Sequence, residues 1–221
     1  MIESFLAAAL LLLGSQAYAA VAKDVVFEEV DGVVAAEAEH YLEQTKDTVR
    51  KWHLTTPDGT PDVTPDGDPN HASSASGGAY LEALPDTRRS HGDPLKSGEN
   101  FFPQPGEAGL LHYSIHINTP GRYYVWARIL STNTEDNGMH VGIDGSWPPS
   151  GQRLQWTRKR EWAWGSKQRT AKKHGGEPHK LYLDIGTPGE HTIMFCMRED
   201  GTEFDKWMMT MEKLAKVDGF G

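Results

Sequence analysis

Apolar residues recur at every second position along much of this chain. The stretches Val33 to Glu39, Leu110 to Asn118, Tyr123 to Leu130, His140 to Asp144, Lys180 to Ile185 and His191 to Arg198 all carry that period, and Gly, Pro or Asp-Gly turns bound them. Each reads as a strand with one face buried. The best helical candidate is Ala36 to Trp52, where Tyr41, Leu42, Val49 and Trp52 line one face, although Thr45, Thr48 and the strand signal ahead of them weaken it. Many short strands, tight turns and almost no helix predict an all-β chain folded as a two-sheet β-sandwich or jelly roll.

Three stretches break the alternation. Thr55 to Gly78 is rich in Pro, Asp, Gly, Ser and Asn, and Pro85 to Gly109 is similarly polar apart from Phe101 and Phe102, so both read as long loops. Loops of that length in a compact domain usually carry function or are disordered. The third stretch, Gly145 to Gly176, holds Trp147, Trp156, Trp162 and Trp164, four of the seven tryptophans. No internal repeat and no linker divides the chain, so residues 20–221 are expected to form a single domain.

Ahead of that domain, Met1 to Ala19 joins an apolar run, Phe5 to Leu13, to the small-residue sequence Ala17-Tyr18-Ala19, and reads as a secretory signal peptide cut before Ala20. Glu3 stands where a basic residue is usual, and the run is too short to span a bilayer comfortably, so no membrane span is expected. The expected location is secreted or periplasmic. Cys196 is the single cysteine, so an exported chain has no internal disulfide and its termini must be held by something else. A buried, inert thiol is expected there. With a formal charge of −9 and no basic stripe, nucleic acid is not an expected partner.

Three motifs in order carry a family resemblance. They are Ala36-Glu37-Ala38-Glu39; then Gly121-Arg122-Tyr123-Tyr124-Val125-Trp126-Ala127-Arg128 with Val141-Gly142-Ile143-Asp144-Gly145; then Asp200-Gly201-Thr202-Glu203-Phe204-Asp205-Lys206-Trp207. Together they resemble the galactose-binding-like jelly rolls of carbohydrate-binding modules, families six and thirty-five above all. The resemblance implies a structural Ca²⁺ held by Glu37, Glu39 and Asp205. Strand geometry agrees in part, because alternate residues project to one side and two parallel carboxylates repel unless a cation or water separates them. Ordinary solvent-facing strand acids are the other reading of the pair.

The resemblance also implies a sugar site among loops at one end of the sandwich, with polar residues just before the last strand. Stacking candidates are Trp147, Trp156, Trp162 and Trp164, and polar partners are Glu135, Asp136, Asn137, Arg198 and Asp200. Core caps are the alternative role for the tryptophans. Arg153, Arg158, Arg160, Lys167 and Arg169 surround them and would suit a carboxylated or sulfated polysaccharide, unless they are a solvated face paired with local acids.

Catalytic signals are sparse. The ten histidines show no His-Glu-x-x-His spacing, and no Gly-x-Ser-x-Gly elbow occurs. Paired carboxylates such as Glu135 with Asp136, or Glu199 with Asp200, keep open a small jelly-roll polysaccharide lyase or glycoside hydrolase. The expected function is non-catalytic polysaccharide binding through aromatic loops, with glycan-degrading enzymes as pathway partners; a cell-surface adhesion module is a further alternative.

Overall fold

The computed structural model describes residues 25–217, so the signal peptide expected over residues 1–19 lies outside the described residues. The strands in chain order are β1 (Val26–Glu28), β2 (Val33–Glu37), β3 (Glu43–Thr45), β4 (Lys51–Thr55), β5 (Tyr80–Leu84), β6 (Leu110–Ile117), β7 (Gly121–Leu130) and β8 (Gly138–Ile143). They continue with β9 (Leu154–Gln155), β10 (Ala163–Gly165), β11 (Lys167–Gln168), β12 (Glu177–Pro178), β13 (Tyr182–Ile185), β14 (Gly189–Met197) and β15 (Glu203–Thr210). Two sheets form a sandwich. One has the order β1-β6-β14-β8-β9-β11-β12 with β3 also on β6; the other has the order β10-β7-β15-β5-β4 with β13 also on β7 and β2 also on β15. Among the described residues, no helix is long and apolar enough to cross a membrane.

The period-two pattern builds the interface between the sheets. On β6, Leu111, Tyr113, Ile115 and Ile117 are fully buried, while His112, Ser114 and His116 alternate with them on the outer face. Tyr123, Val125, Ala127 and Ile129 of β7 answer from the other sheet. Aromatic rings fill the centre: Tyr113 meets Trp207 edge-on at 5.2 Å, and Phe195 lies 5.1 Å from Phe204 and 5.7 Å from Trp207.

The helix expected over Ala36 to Trp52 does not form. That segment holds the end of β2, then β3 and β4, and Gln44 clamps Trp52 by donating to its carbonyl (3.1 Å) and accepting from its amide (2.6 Å). The Trp52 indole is buried and donates to the Gly109 carbonyl at 2.7 Å, so tertiary packing outweighs a weak helical stripe. Asp205 breaks the alternation of β15. Phe204 pairs with Ile129 and Lys206 with Arg128, leaving Asp205 as a bulge that puts Asp205 and Lys206 on the outer face in succession. This bulge positions the charged groups described next.

Candidate functional site

The predicted polar group is assembled at the loop end of the sandwich, but it faces inward. Asp136 is fully buried and accepts from the Ser131 hydroxyl (2.6 Å), the Thr132 amide (2.8 Å) and hydroxyl (2.9 Å), and the Asn133 amide. Glu135 is paired with Arg88 and His91. Asn137 donates its amide to Glu199 at 3.0 Å, and Arg198 is paired with Glu199 beneath the Phe101 ring. Asp200 accepts from Arg50 (3.1 Å) and from the Thr87 amide (2.9 Å) and hydroxyl (2.7 Å). Long loops bring unpaired backbone donors with them, and these acids satisfy those donors rather than reaching solvent. Glu135, Asp136, Arg198 and Asp200, expected to face a ligand, are thus turned to partners inside the fold, whereas Asn137 also borders an open hollow of 410 Å³ with Gln155, Lys159 and Arg169.

The four tryptophans separate into three situations. Trp156 is 3 % exposed and packs in the core, with only an edge bordering the hollow beside Asn137. Trp147 is half-buried and lies against Gly106 and Gly142, where an added Cβ would come within 2.6 Å and 2.8 Å of its indole. Trp162 and Trp164 meet on the outer face of the seven-stranded sheet. With Trp126 of β7, which sequence reasoning did not nominate, they line a groove of 380 Å³ that Arg158, Lys167 and His179 also border. Strand alternation explains the grouping: Ile129 and Ala127 point to the core, so their neighbours Trp126 and Arg128 point out, and Trp164 is registered opposite Arg128.

That face carries a row of charge beside the groove. Cross-strand register runs Trp164, Arg128, Lys206, Glu37 over four strands. Arg128 is paired with Asp205 and sets its guanidinium 5.5 Å from the Trp162 ring centre. Trp162 also meets Tyr80 edge-on at 5.3 Å. Trp164 further borders a second hollow of 330 Å³ with Phe27, Ala35, His40 and Met208.

Glu37, Glu39 and Asp205 are neighbours here around Ser76 and Gly77. Ser76 donates its hydroxyl to Glu37 and its amide to Asp205, both at 2.8 Å. Glu37 Oε2 and Glu39 Oε2 are buried without any hydrogen-bond partner. Burial, and then the charges of Glu37 and Asp205, push the Glu39 carboxyl up to about 8. Two orphaned carboxylate oxygens fit a hard cation, whereas both Asp205 oxygens are already engaged by Arg128 and Ser76.

His140 and Cys196 are held inside the fold. His140 is fully buried and pushed down to about 4 by desolvation; its ring spans the Arg153 amide (3.1 Å) and the Phe102 carbonyl (3.2 Å). The Cys196 thiol is buried under the Gly106 amide, and burial pushes it up to about 12.

The glycosyl hydrolase family 115 C-terminal domain matches residues 68–217. The chain belongs to this family. The family 115 segment spans β5 to β15, so it includes Trp126, Trp162, Trp164 and Asp205 and excludes Glu37 and Glu39. A relative of this family 115 domain, protein P23 of Formosa agariphila, is 52 % identical over 191 residues, covering 86 % of this chain and 46 % of that protein. The chain thus spans about half the length of that relative. Solved structures with a similar arrangement include a Paenibacillus xanthan lyase (TM-score 0.44, 13 % identity, 80 % of this chain and 13 % of that one). A Podospora anserina β-(1,4)-mannanase bearing a family 35 carbohydrate-binding module is similar at TM-score 0.43, with 11 % identity, 87 % of this chain and 29 % of that one. The family 35 module of Paenibacillus barcinonensis is similar at TM-score 0.39, with 12 % identity, 80 % of this chain and 98 % of that one.

Proposed function

We propose that this chain is a non-catalytic, exported polysaccharide-binding module that takes glycan into the groove lined by Trp126, Trp162 and Trp164. One observation carries the reading: three indoles line an open groove on a face of the sandwich that the core does not use. Sugar rings offer apolar C–H faces to such indoles, and their hydroxyls need planar polar groups nearby. Lys167 at the border, beside an Arg158 that Glu161 holds at 3.1 Å, favours a carboxylated polysaccharide, because cations there can bind oxyanions by charge-assisted hydrogen bonds. Membership of a domain family named for glycosyl hydrolases supports a glycan setting, with glycan-degrading enzymes as working partners.

Trp164→Ala is expected to weaken retention in gels containing carboxylated polysaccharide by about 30-fold, corresponding to loss of roughly 2 kcal/mol from one central aromatic anchor. The variant keeps its fold, since Trp164 is only half-buried. Unchanged retention would place the ligand elsewhere. Release of reducing ends or unsaturated products from the same polysaccharides would replace binding by catalysis.

The reading includes a structural Ca²⁺ at Glu37 and Glu39, with Asp205 beside them, tying the second strand to the last. Bound calcium would supply the positive charge those two orphaned oxygens lack. A ligand that binds only the native state raises stability by mass action, about 2.7 kcal/mol at a hundredfold excess over Kd. Calcium is therefore expected to raise the melting temperature of chelator-stripped protein, with a smaller rise in the Glu37→Gln/Glu39→Gln variant. An equal rise in both would remove the ion from this position.

A further inference from the structure

A second group of acids lies under the 56–79 loop, and neither the groove nor the Glu37 pair uses it. Glu82 of β5 and Glu203 of β15 are direct cross-strand partners, an arrangement in which like charges oppose one another and weaken the sheet. Asp68 comes down onto them from the loop. These three residues each offer one carboxylate oxygen, and the three oxygens lie within 4.8 Å of one another. Glu82 is 2 % exposed, and its Oε1 is buried with no hydrogen-bond partner. The crowding extends further, because Asp66 and Asp86 also act electrostatically on Glu82.

Little positive charge answers this. His71 contacts Glu203 at 2.8 Å, and the Thr132 hydroxyl, shared with Asp136, lies 2.8 Å from Asp68. Neither reaches the Glu82 oxygen. Burying several carboxylates around one unpartnered oxygen is costly unless a cation joins them. Among the neighbouring outer-face acids, Arg128 holds Asp205 and Lys206 approaches one oxygen of Glu37.

We propose that Asp68, Glu82 and Glu203 hold a hard divalent cation, with calcium as the ion best suited to them, and that this ion pins the 56–79 loop onto β5 and β15. All three donors are carboxylate oxygens, the ligand type hard cations take. Oxygens bound to one calcium at 2.3–2.6 Å can stand up to about 5 Å apart, which accommodates the observed spacing, while magnesium at 2.0–2.1 Å requires a tighter set. Asp68 and His71 also border an open cleft of 490 Å³ with Arg89, Thr132, Asn133 and Arg160. That cleft has room for water to complete the shell. The site shares no residue with Glu37, Glu39 and Asp205.

The test is calcium titration calorimetry on chelator-stripped full chain carrying Glu37→Gln/Glu39→Gln, so that the other candidate position is removed. One calcium per chain is expected to bind still. Adding Glu82→Gln is expected to abolish it, and adding Asp68→Asn to weaken it at least tenfold. Asp68 is a half-buried loop residue, so that variant keeps the sheet intact even if Glu82→Gln unfolds it. Calcium is also expected to slow proteolytic nicking between residues 56 and 79 in the parent and not in the Asp68→Asn variant. No binding to the Glu37→Gln/Glu39→Gln chain, or undiminished binding after Asp68→Asn, overturns the proposal.

Discussion

Arg50→Met is expected to lower the unfolding free energy by about 3–5 kcal/mol at neutral pH, the cost of stripping one partner from a buried ion pair. Arg50 donates from Nε (3.3 Å) and from its terminal nitrogen (3.1 Å) to one oxygen of Asp200, and the same nitrogen reaches the Thr87 hydroxyl at 2.8 Å. Asp200 is fully buried, and its other oxygen has no partner. Without the guanidinium, that charge faces Asp86 with only Thr87 to answer it. Arg122→Met removes an equally well-formed pair with Asp184, but one exposed to solvent. That variant is expected to unfold at the same urea concentration as the parent, because exposed pairs are screened and hold two mobile side chains. A loss below about 1 kcal/mol for Arg50→Met would show that the loop end does not depend on this pair.

Asp86→Asn is expected to stabilise the chelator-treated protein above pH 7. Asp86 is 1 % exposed, neither of its oxygens has a hydrogen-bond partner, and its carboxyl is pressed against Gly201, where an added Cβ would come within 2.7 Å of Asp86 Cγ. Burial, then the charges of Asp200, Asp68 and Asp136, push it up to about 7 from an ordinary 3.8. The folded protein therefore holds this proton more tightly than the unfolded chain does. Its stabilising contribution is full below about pH 4 and is lost as pH rises through 7. Asparagine carries no charge to ionise, and its amide can donate to the neighbouring carboxylates. The gain at pH 9 is on the order of 2–4 kcal/mol, from about 1.4 kcal/mol per pKa unit, with roughly a third of it already present at pH 5. Parallel stability curves for parent and variant over pH 5 to 9 would contradict it.

Sequence made the sandwich legible wherever one strand face is buried and the other wet. Strand β6 alternates along most of its length, and the expected bounds of β6, β7 and β14 fall within two residues of those observed. Strand β5 escaped because all five of its residues are buried, which erases alternation. The bulge at Asp205 likewise hides β15, although that strand is central to its sheet.

For the site, Trp162 and Trp164 could be nominated from composition, while Trp126 sat in a run that read only as a strand. Whether an acid faces out or in was beyond reach of local sequence: the partner of Asp200 is Arg50, 150 residues earlier. One signal was available and unused. A glutamate inside Tyr-Leu-Glu-Ala-Leu, where every neighbour is apolar, marks a buried charge that must find a counter-charge or a proton.

The central claim, glycan in the outer-face tryptophan groove, is tested most directly by following indole N–H resonances of the seven tryptophans during titration with a carboxylated polysaccharide. The groove predicts saturable shifts of Trp162, Trp164 and Trp126, with the core indoles of Trp52, Trp156 and Trp207 unmoved. Shifts confined to Trp147, or none while glycan is bound, would contradict it.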